Sequence, residues 1–269
     1  MQLHLHSHTV VVTGGASGIG LAAVRAFAAE RCQVALWDVS QKVDEVAKSL
    51  ADEFGLGVIG CRVDITQIDS VAEAVRRTTG EFSTIDHLVH AAAIGSGKFG
   101  FPFTNLDPAD WTRVLEVNVL GMVNVAHAIA PIMQPKRRGS MVFVASVAGQ
   151  IGSQTDPPYS ASKAANINFA QCLAKDLAPH GVRVNTVCPG MVRTPLNHSV
   201  WQAWHDQQPI DKRLSYDDWA ASKIRAVVPL GHWQRPEDIA DTIVFLSSPR
   251  AAHITGQTIN VDGGFVMHW

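Results

Sequence analysis

The sequence predicts one α/β domain: a doubly wound, mostly parallel seven-stranded sheet with helices on both faces. Short β-branched segments alternate along the chain with segments of helical pattern. The strand segments are apolar on nearly every residue, which is typical of parallel strands buried on both faces. Repeated βαβ units imply right-handed crossovers. With 269 residues, of which 46% are hydrophobic, the chain is long enough to bury one large core.

The predicted elements alternate from one end of the chain to the other. Strands are expected at 9–13, 33–38, 58–63, 85–91, 140–145, 182–188 and 257–261. Helices are expected at 18–30, 41–54, 67–79, 108–133, 158–178 and 236–247. The strand candidates are short, mostly apolar runs, and the helical patterns fall between them. No repeat or Pro/Gly-rich linker interrupts this order, so residues 1–269 are predicted to form a single domain.

One segment, 194–230, interrupts the alternation of predicted strands and helices. It is longer than a usual connection and follows the carboxyl end of a predicted strand, so we expect it to be a lid over a ligand site. Its tryptophans, Trp201, Trp204 and Trp219, are expected to pack the lid or an oligomer face, with direct contact to a substrate as the alternative.

Composition excludes several classes of function. The formal net charge of −2 leaves no basic field for a nucleic acid. No stretch of ~20 predominantly apolar residues is found, so no membrane segment is predicted. The four cysteines lack CxxC spacing and are expected to be small buried residues. The N-terminus lacks a signal-peptide pattern, and we expect a cytoplasmic location. His4, His6 and His8 alternate, but a frayed polar terminus is favoured and no metal site is predicted.

The first predicted strand ends in a glycine-rich turn, TGGASGIG at 13–20. Glycines allow positive φ and let a diphosphate approach the backbone, while the helix that follows offers unpaired N–H groups. Because the turn lies inside a βαβ unit, it predicts a Rossmann-type dinucleotide site rather than a merely tight turn. The candidate contacts are Gly14, Ser17, Gly18, Ile19 and Gly20.

The end of the second strand predicts which dinucleotide binds. Asp38 can accept hydrogen bonds from both hydroxyls of the adenosine ribose and would repel a 2′-phosphate. No Arg or Lys is found at 13–20 or 39–40. The pair Asp38–Val39 therefore favours NAD over NADP, with a helix N-cap as the alternative role for Asp38.

A tyrosine and a lysine in PPYSASKAAN form the candidate proton-handling pair. Tyr159 and Lys163 are four residues apart and share a helix face. A free phenol has a pKa near 10, and a neighbouring ammonium lowers it, so the pair can exchange the proton of an alcohol. Ser146, at the end of the preceding strand, is a candidate to orient the substrate oxygen. On its own, YxxxK is a common surface pair.

Together these motifs resemble the short-chain dehydrogenase/reductase family, in its shorter single-domain branch, over nearly the whole chain. TGGASGIG is similar to the family's TGxxxGxG. The resemblance implies a catalytic tetrad of Asn118, Ser146, Tyr159 and Lys163. In it, Tyr159 is the acid/base, Lys163 lowers its pKa and binds the nicotinamide ribose, and Ser146 positions the reacting oxygen. Asn118 holds a water that relays protons, although a buried polar group that kinks the helix would describe the same position.

The resemblance implies further cofactor contacts. They are Asp64 and Ile65 near adenine, Pro189, Gly190, Val192 and Thr194 in PGMVRT near the nicotinamide, and Ala91 and Ala92 near the ribose. The family usually has NNAG where this chain has His90-Ala-Ala-Ala93, so we expect an altered ribose shelf in which His90 restores one lost hydrogen bond. The closing segment 254–264 resembles a strand that is commonly part of a tetramer interface, which predicts a homotetramer.

These features predict an NAD-dependent dehydrogenase that oxidises a secondary alcohol of a small hydroxylated metabolite, such as a polyol, sugar or sugar acid. A 3-oxoacyl or other ketone reductase is the alternative, and a catalytically silent NAD-binding sensor is a weaker one. Other candidate contacts are peripheral. They are Lys98, Arg193, Lys212 and Arg213 for a substrate carboxylate, and His268 or Trp269 in the tail that follows DGG.

Overall fold

The sheet contains the seven predicted strands, all parallel, in the order β3-β2-β1-β4-β5-β6-β7. The computed structural model describes residues 2–153 and 155–268. The strands are β1 (Thr9–Thr13), β2 (Gln33–Asp38), β3 (Val58–Arg62), β4 (His87–His90), β5 (Gly139–Val144), β6 (Val182–Pro189) and β7 (Thr258–Val261). Each lies within two residues of its prediction. The order reverses between β1 and β4, which opens a crevice at the carboxyl ends of these strands.

Helices cover both faces of the sheet. They are α1 (Gly18–Ala29), α2 (Val43–Phe54), α3 (Ile68–Phe82), α4 (Pro108–Leu115), α5 (Gly121–Met133), α6 (Pro157–Leu177), α7 (Pro195–Asp206), α8 (Tyr216–Val227) and α9 (Pro236–Ser247). Side chains alternate along β1, so Val10 and Val12 pack in one core layer while Val11 packs in the other. The doubly wound α/β fold with helices on both faces is confirmed.

The predicted helix 108–133 is continuous but not uniform. Between α4 and α5 the residues Glu116–Leu120 form a π-helical turn that contains Asn118. Single π-helical turns are often found at functional sites. The run Pro108–Lys136 is long and apolar enough to cross a membrane by length and composition. Val125, Ala126 and Ile129 of this run are buried in the core, as expected of a core helix.

The segment 194–230 contains two helices, α7 and α8, that the sequence analysis did not predict. Tyr216 joins them, because its ring lies 5.7 Å from Trp201 and 6.1 Å from Trp219, and its hydroxyl donates to Asn197 Oδ1 at 2.9 Å. Trp219 is buried and Trp204 packs against it. The tryptophans therefore pack the segment itself, which was the favoured of their predicted roles.

Candidate active site

A cavity of about 520 Å³ lies at the carboxyl ends of the strands, where the strand order reverses. It extends from the glycine-rich turn after β1, past the ends of β2 and β3, to the start of α6, and α7 covers one side. We call it the cleft. Of the predicted site residues, those that line it are Gly14, Ser17, Gly18, Ile19, Gly20, Asp38, Val39, Asp64, Ile65, Ala91, Ala92, Ser146, Tyr159, Lys163, Pro189, Gly190, Val192 and Thr194.

The glycine-rich turn fits a diphosphate. Gly14 has φ of +67°, and a Cβ there would lie 2.8 Å from the backbone of Ala92. At Gly20 a Cβ would lie 2.1 Å from the carbonyl oxygen of Gly14. Ser17 is the N-cap residue of α1 but its side chain makes no capping hydrogen bond, so the first N–H groups of this twelve-residue helix are left for a ligand. Backbone without side chains therefore faces the cleft at a helix N-terminus.

Asp38 lies at the cleft end of β2, half-buried. One carboxylate oxygen accepts from the Ala16 N–H at 3.0 Å and the other from the Ser40 N–H at 2.9 Å. These bonds fix the carboxylate against the glycine-rich turn, and each oxygen keeps a second lone pair for a ribose hydroxyl. In register opposite Asp38 lies Arg62, whose Nε donates to the carbonyl of Val39. This cation is absent from segments 13–20 and 39–40, because it lies on the neighbouring strand and reaches Asp38 only through strand pairing.

The far end of the cleft contains the predicted adenine contacts. Asp64 accepts from both the N–H and the hydroxyl of Thr66, and the hydrogen bond from the hydroxyl is the main reason that its pKa is lowered. Ile65 packs against Gly121, where a Cβ would lie 2.7 Å from the isoleucine side chain. Arg113 also lines this end. An ionised carboxylate and an apolar wall thus suit a base at this end.

His90 does not line the cleft, and its assignment as a cofactor contact is wrong. The imidazole is 1% exposed and packs on Phe143 of the adjacent strand. Its Nδ1 lies 3.0 Å from the hydroxyl of Thr13, which in turn accepts from the Ala92 N–H at 3.3 Å. The predicted replacement hydrogen bond is present, but it braces β1 against β4 from the interior. Ala91, Ala92 and Ala93 line the cleft in this segment.

Ser146, Tyr159 and Lys163 meet at the other end of the cleft. Ser146 follows β5 and caps a short turn, accepting from the Ala148 N–H at 3.1 Å. Tyr159 and Lys163 lie in the first two turns of α6, and the Lys163 Nζ is 5.5 Å from the Tyr159 ring centroid. Two prolines at the start of α6 suit its first turn. The predicted pair therefore lies beside the predicted serine.

The electrostatics of this pair differ from expectation. Burial raises the pKa of the Tyr159 phenol, and the Ser146 hydroxyl opposes that rise while the Asp156 charge adds to it. Burial also lowers the pKa of Lys163 to about 8. The Lys163 ammonium donates to the carbonyl of Val144 at 2.8 Å rather than to the phenol. Among the described contacts, Lys163 therefore makes no direct hydrogen bond to the phenol, and it faces the Tyr159 ring across 5.5 Å.

Asn118 lies behind the cleft instead of in its wall. Its side chain donates to the Ile94 carbonyl at 2.8 Å and to the Ser162 hydroxyl at 2.9 Å, and accepts from the Ile94 N–H at 2.9 Å. The backbone carbonyl of Asn118 accepts from the side chain of Asn166 at 2.8 Å. Asn118 thus fastens the loop after β4 to α6. Its carbonyl is also linked to the site through Asn166, whose Oδ1 accepts from the Lys163 ammonium at 3.3 Å.

Asp156, which was not among the predicted site residues, also lines the cleft beside Tyr159. It is 7% exposed, caps α6 and accepts from the Ser96 N–H at 2.8 Å and the Tyr159 N–H at 3.4 Å. Burial raises the pKa of this carboxyl. An Asp directly before two prolines is a helix N-cap signal that would have found it.

The lid contributes Leu196, Asn197 and Val200 of α7 to the cleft. They are mainly apolar, with one amide that is held by the hydroxyl of Tyr216. These contacts follow from the position of α7, which begins directly after the predicted cofactor contact Thr194.

The predicted carboxylate-binding cations lie elsewhere. Lys98 pairs with Asp110, Arg193 pairs with Asp217, and Arg213 donates to a backbone carbonyl within the lid. None of these, nor Lys212, lines the cleft formed by the described residues. His268 is exposed in the tail, and Trp269 lies outside the described residues.

The fold and the cleft define a nucleotide-dependent oxidoreductase, and comparisons with known proteins agree. A family model described as enoyl-(acyl carrier protein) reductase matches residues 14–266. The cis-4-hydroxycyclohexanecarboxylate dehydrogenase of Sinomonas cyclohexanicum is 36% identical over 95% of both chains. The 3-oxoacyl-(acyl-carrier-protein) reductase FabG of Thermotoga maritima is 34% identical over 98% of this chain and 100% of its own.

Solved structures show the same architecture. L-sorbose reductase from Gluconobacter frateurii, complexed with NADPH and L-sorbose, superposes with a TM-score of 0.89 at 28% identity over 100% of both chains. Levodione reductase superposes with a TM-score of 0.88 at 26% identity, over 96% of this chain and 97% of its own. The chain therefore belongs to the short-chain dehydrogenase/reductase family, as its motifs predicted.

Proposed function

We propose that this protein is an NAD-dependent dehydrogenase that oxidises a secondary alcohol of a small hydroxylated metabolite to the ketone. The observation that carries the proposal is one continuous cleft. It joins the glycine-rich turn and Asp38 at one end to Ser146, Tyr159 and Lys163 at the other. A nucleotide that binds along this cleft would bring its redox centre to the proton-handling residues.

NAD, when bound, supplies the hydride acceptor, and the protein supplies orientation and proton transfer. Ser146 would hold the substrate oxygen by a hydrogen bond. Tyr159, as the phenolate, would accept the hydroxyl proton as hydride leaves the carbinol carbon. The charged Lys163 favours the phenolate and thereby sets the pH at which this step proceeds.

The preference for NAD rests on Asp38. Its carboxylate is held in place by two backbone N–H groups and faces the cleft, where a 2′-phosphate would meet like charge. The sorbose reductase complex contains NADPH, so relatives of this fold also take the phosphorylated cofactor. Arg62 opposite Asp38 is the residue that would favour NADP here. We propose that the fixed carboxylate outweighs it, because the Arg62 side chain is exposed and donates to Val39 instead.

The charge of the cleft favours a neutral substrate. The buried carboxylate of Asp156 lies beside Tyr159, and the peripheral cations predicted for a substrate carboxylate lie outside the cleft. Asn197 adds an amide suited to hydroxyl groups. Of the predicted substrates, a polyol or a neutral sugar therefore fits better than a sugar acid. L-sorbose reductase is named for a sugar, whereas the dehydrogenase at 36% identity is named for a hydroxy acid, so the substrate panel must contain both kinds.

A 3-oxoacyl or other ketone reductase is the second candidate, favoured by the 34% identity with the Thermotoga maritima reductase. The same residues would then run the reaction in reverse, with Tyr159 donating its proton. A silent NAD sensor is less favoured, because a sensor has no need of the Tyr159–Lys163 pair. Homotetrameric assembly and a cytoplasmic location stay predictions from the sequence.

A substrate panel tests the proposal. It contains D-sorbitol, xylitol and cyclohexane-1,2-diol, the matched acids D-gluconate and 4-hydroxycyclohexanecarboxylate, and acetoacetyl thioesters for the reductase direction. Formation or consumption of NADH and NADPH is followed by absorbance. We expect NAD-dependent oxidation of a neutral member, whereas turnover of the thioesters alone, with NADPH, would establish the second candidate.

The cofactor assignment has its own variant, Asp38→Ala. Loss of one charge-assisted hydrogen bond, worth ~1.5–3 kcal/mol, should weaken NADH binding by roughly 10- to 100-fold, and loss of the negative charge should relax discrimination against NADPH. Arg62→Ala is the matched control and should leave NADH binding unchanged. Unaltered discrimination in Asp38→Ala would remove the basis for choosing NAD.

A further inference from the structure

Asn166 is a buried amide that contacts the catalytic lysine and the π-helical turn at the same time. It lies on α6 three residues after Lys163, on the same helix face, and is 1% exposed. Its Oδ1 accepts from the Lys163 Nζ at 3.3 Å, and its Nδ2 donates to the Asn118 carbonyl at 2.8 Å. Both ends of the amide are therefore used.

These contacts orient the ammonium group. A lysine ammonium has three N–H donors. The Val144 carbonyl takes one at 2.8 Å and Asn166 Oδ1 takes a second, so one N–H is left for the cleft. Without Asn166, the Lys163 head group would lose one of its two fixed partners in a buried position.

We propose that Asn166 is a positioning residue that fixes the Lys163 ammonium and couples it to the backbone of the π-helical turn. The proposal rests on the proposed function, because it assumes that the charged lysine assists Tyr159. It also bears on Asn118, which was expected to hold a relay water, because the Asn118 carbonyl accepts from the Asn166 amide and the Asn118 side chain is bonded to Ile94 and Ser162.

The effect on charge follows from the surroundings of Lys163. The groups that act on it or lie near it are Tyr159 on its own helix, Cys188 on β6 and His90 on β4. Burial already lowers the lysine pKa to about 8. Removing an acceptor of the ammonium should lower this pKa further, so that neutral Lys163 becomes strongly populated relative to the charged form at the working pH. A carboxylate in place of the Asn166 amide should raise the pKa of Lys163.

The first test measures the lysine directly, without substrate or cofactor. The protein is labelled with ¹³Cε-lysine, the Lys163 resonance is identified by its loss in Lys163→Met, and its chemical shift is followed against pH. We expect the midpoint in Asn166→Leu to fall by about one pH unit and that in Asn166→Asp to rise by a similar amount. The exposed neighbour Asn168 provides matched controls, Asn168→Leu and Asn168→Asp. Midpoints in the Asn166 variants that match those of the controls would overturn the proposal.

The second test is the pH dependence of kcat/KM for the best panel alcohol. The Tyr159–Lys163 pair titrates as a unit. Asn166→Leu should lower the plateau about tenfold and move the acid limb to lower pH, because TyrOH with neutral lysine becomes populated. Asn166→Asp should move the acid limb to higher pH. A merely structural role would reduce activity without opposite shifts, and that result would also count against the proposal.

The two proposals fail in different ways. Tyr159→Phe is measured in parallel, with NADH binding and thermal unfolding as checks that each variant is folded. If Tyr159→Phe keeps turnover, the proposed function is wrong. If it is inactive while the Asn166 variants titrate like the Asn168 controls, only the role of Asn166 is wrong.

Discussion

His90 provides a quantitative test of the interior of this fold. The imidazole is buried against Phe143, and burial, with a smaller effect of Lys163, lowers its pKa to about 3. In the unfolded chain a histidine has a pKa near 6.5. The folded state therefore binds its proton less readily, so the stability associated with neutral His90 is fully present above pH ~6.5 and is lost as the pH falls toward about 3.

The expected magnitude follows from linkage. One proton difference changes the free energy of unfolding by ~1.4 kcal/mol per pH unit, so between pH ~6 and pH ~4.5 His90 alone should account for about 2 kcal/mol. His87, whose pKa burial also lowers to about 3, should add a similar loss. Asparagine at position 90 retains a polar group for the Thr13 hydroxyl but does not titrate.

The assay is urea unfolding of wild type and His90→Asn at several pH values, with the difference between their free energies of unfolding plotted against pH. Carboxylates titrate alike in both proteins and cancel. As the pH falls from ~6 to ~4.5, we expect the free energy of unfolding of His90→Asn to rise by about 2 kcal/mol relative to that of wild type. The same substitution at an exposed imidazole on α5, His127→Asn, is measured as the surface reference. Parallel curves for His90→Asn would refute the buried neutral imidazole.

Two further variants test the cleft. Gly14→Ala should destabilise the protein by ~1–3 kcal/mol and weaken NADH binding, because its Cβ would lie 2.8 Å from the Ala92 backbone. Gly97 has a similar positive φ but open space around it, so Gly97→Ala is the control. It should lower the thermal unfolding temperature less and leave NADH binding unchanged. Asp156→Asn keeps a good N-cap but removes a buried charge, so kcat/KM for the panel acids should rise about tenfold relative to their neutral partners. An unchanged ratio would exclude Asp156 from substrate selection.

The framework of the fold was predictable because its signals are local. Apolar β-branched runs define the strands to within two residues, and the glycine-rich turn marks the first βα unit. The lid helices α7 and α8 were not predicted, because their aromatic residues pack on one another and on Tyr216 instead of forming one apolar stripe.

The site was predictable where a motif places side chains at a strand end or on one helix face. His90 shows the limit, since the last residue of a strand can face the core while the next residue faces the ligand. Arg62 shows another, because strand pairing brings it opposite Asp38 from a distant part of the sequence. Asn166 was within reach, since residues three apart on a helix share a face.

The central claim is that Tyr159 transfers the substrate proton in an NAD-dependent oxidation, and Tyr159→Phe tests it most directly. The measurement pairs NADH binding by fluorescence with turnover of the best panel alcohol. The account predicts an NADH dissociation constant within about twofold of wild type and a loss of kcat of at least ~100-fold, in line with general acid–base catalysis. Turnover close to wild type with NADH still bound would contradict it.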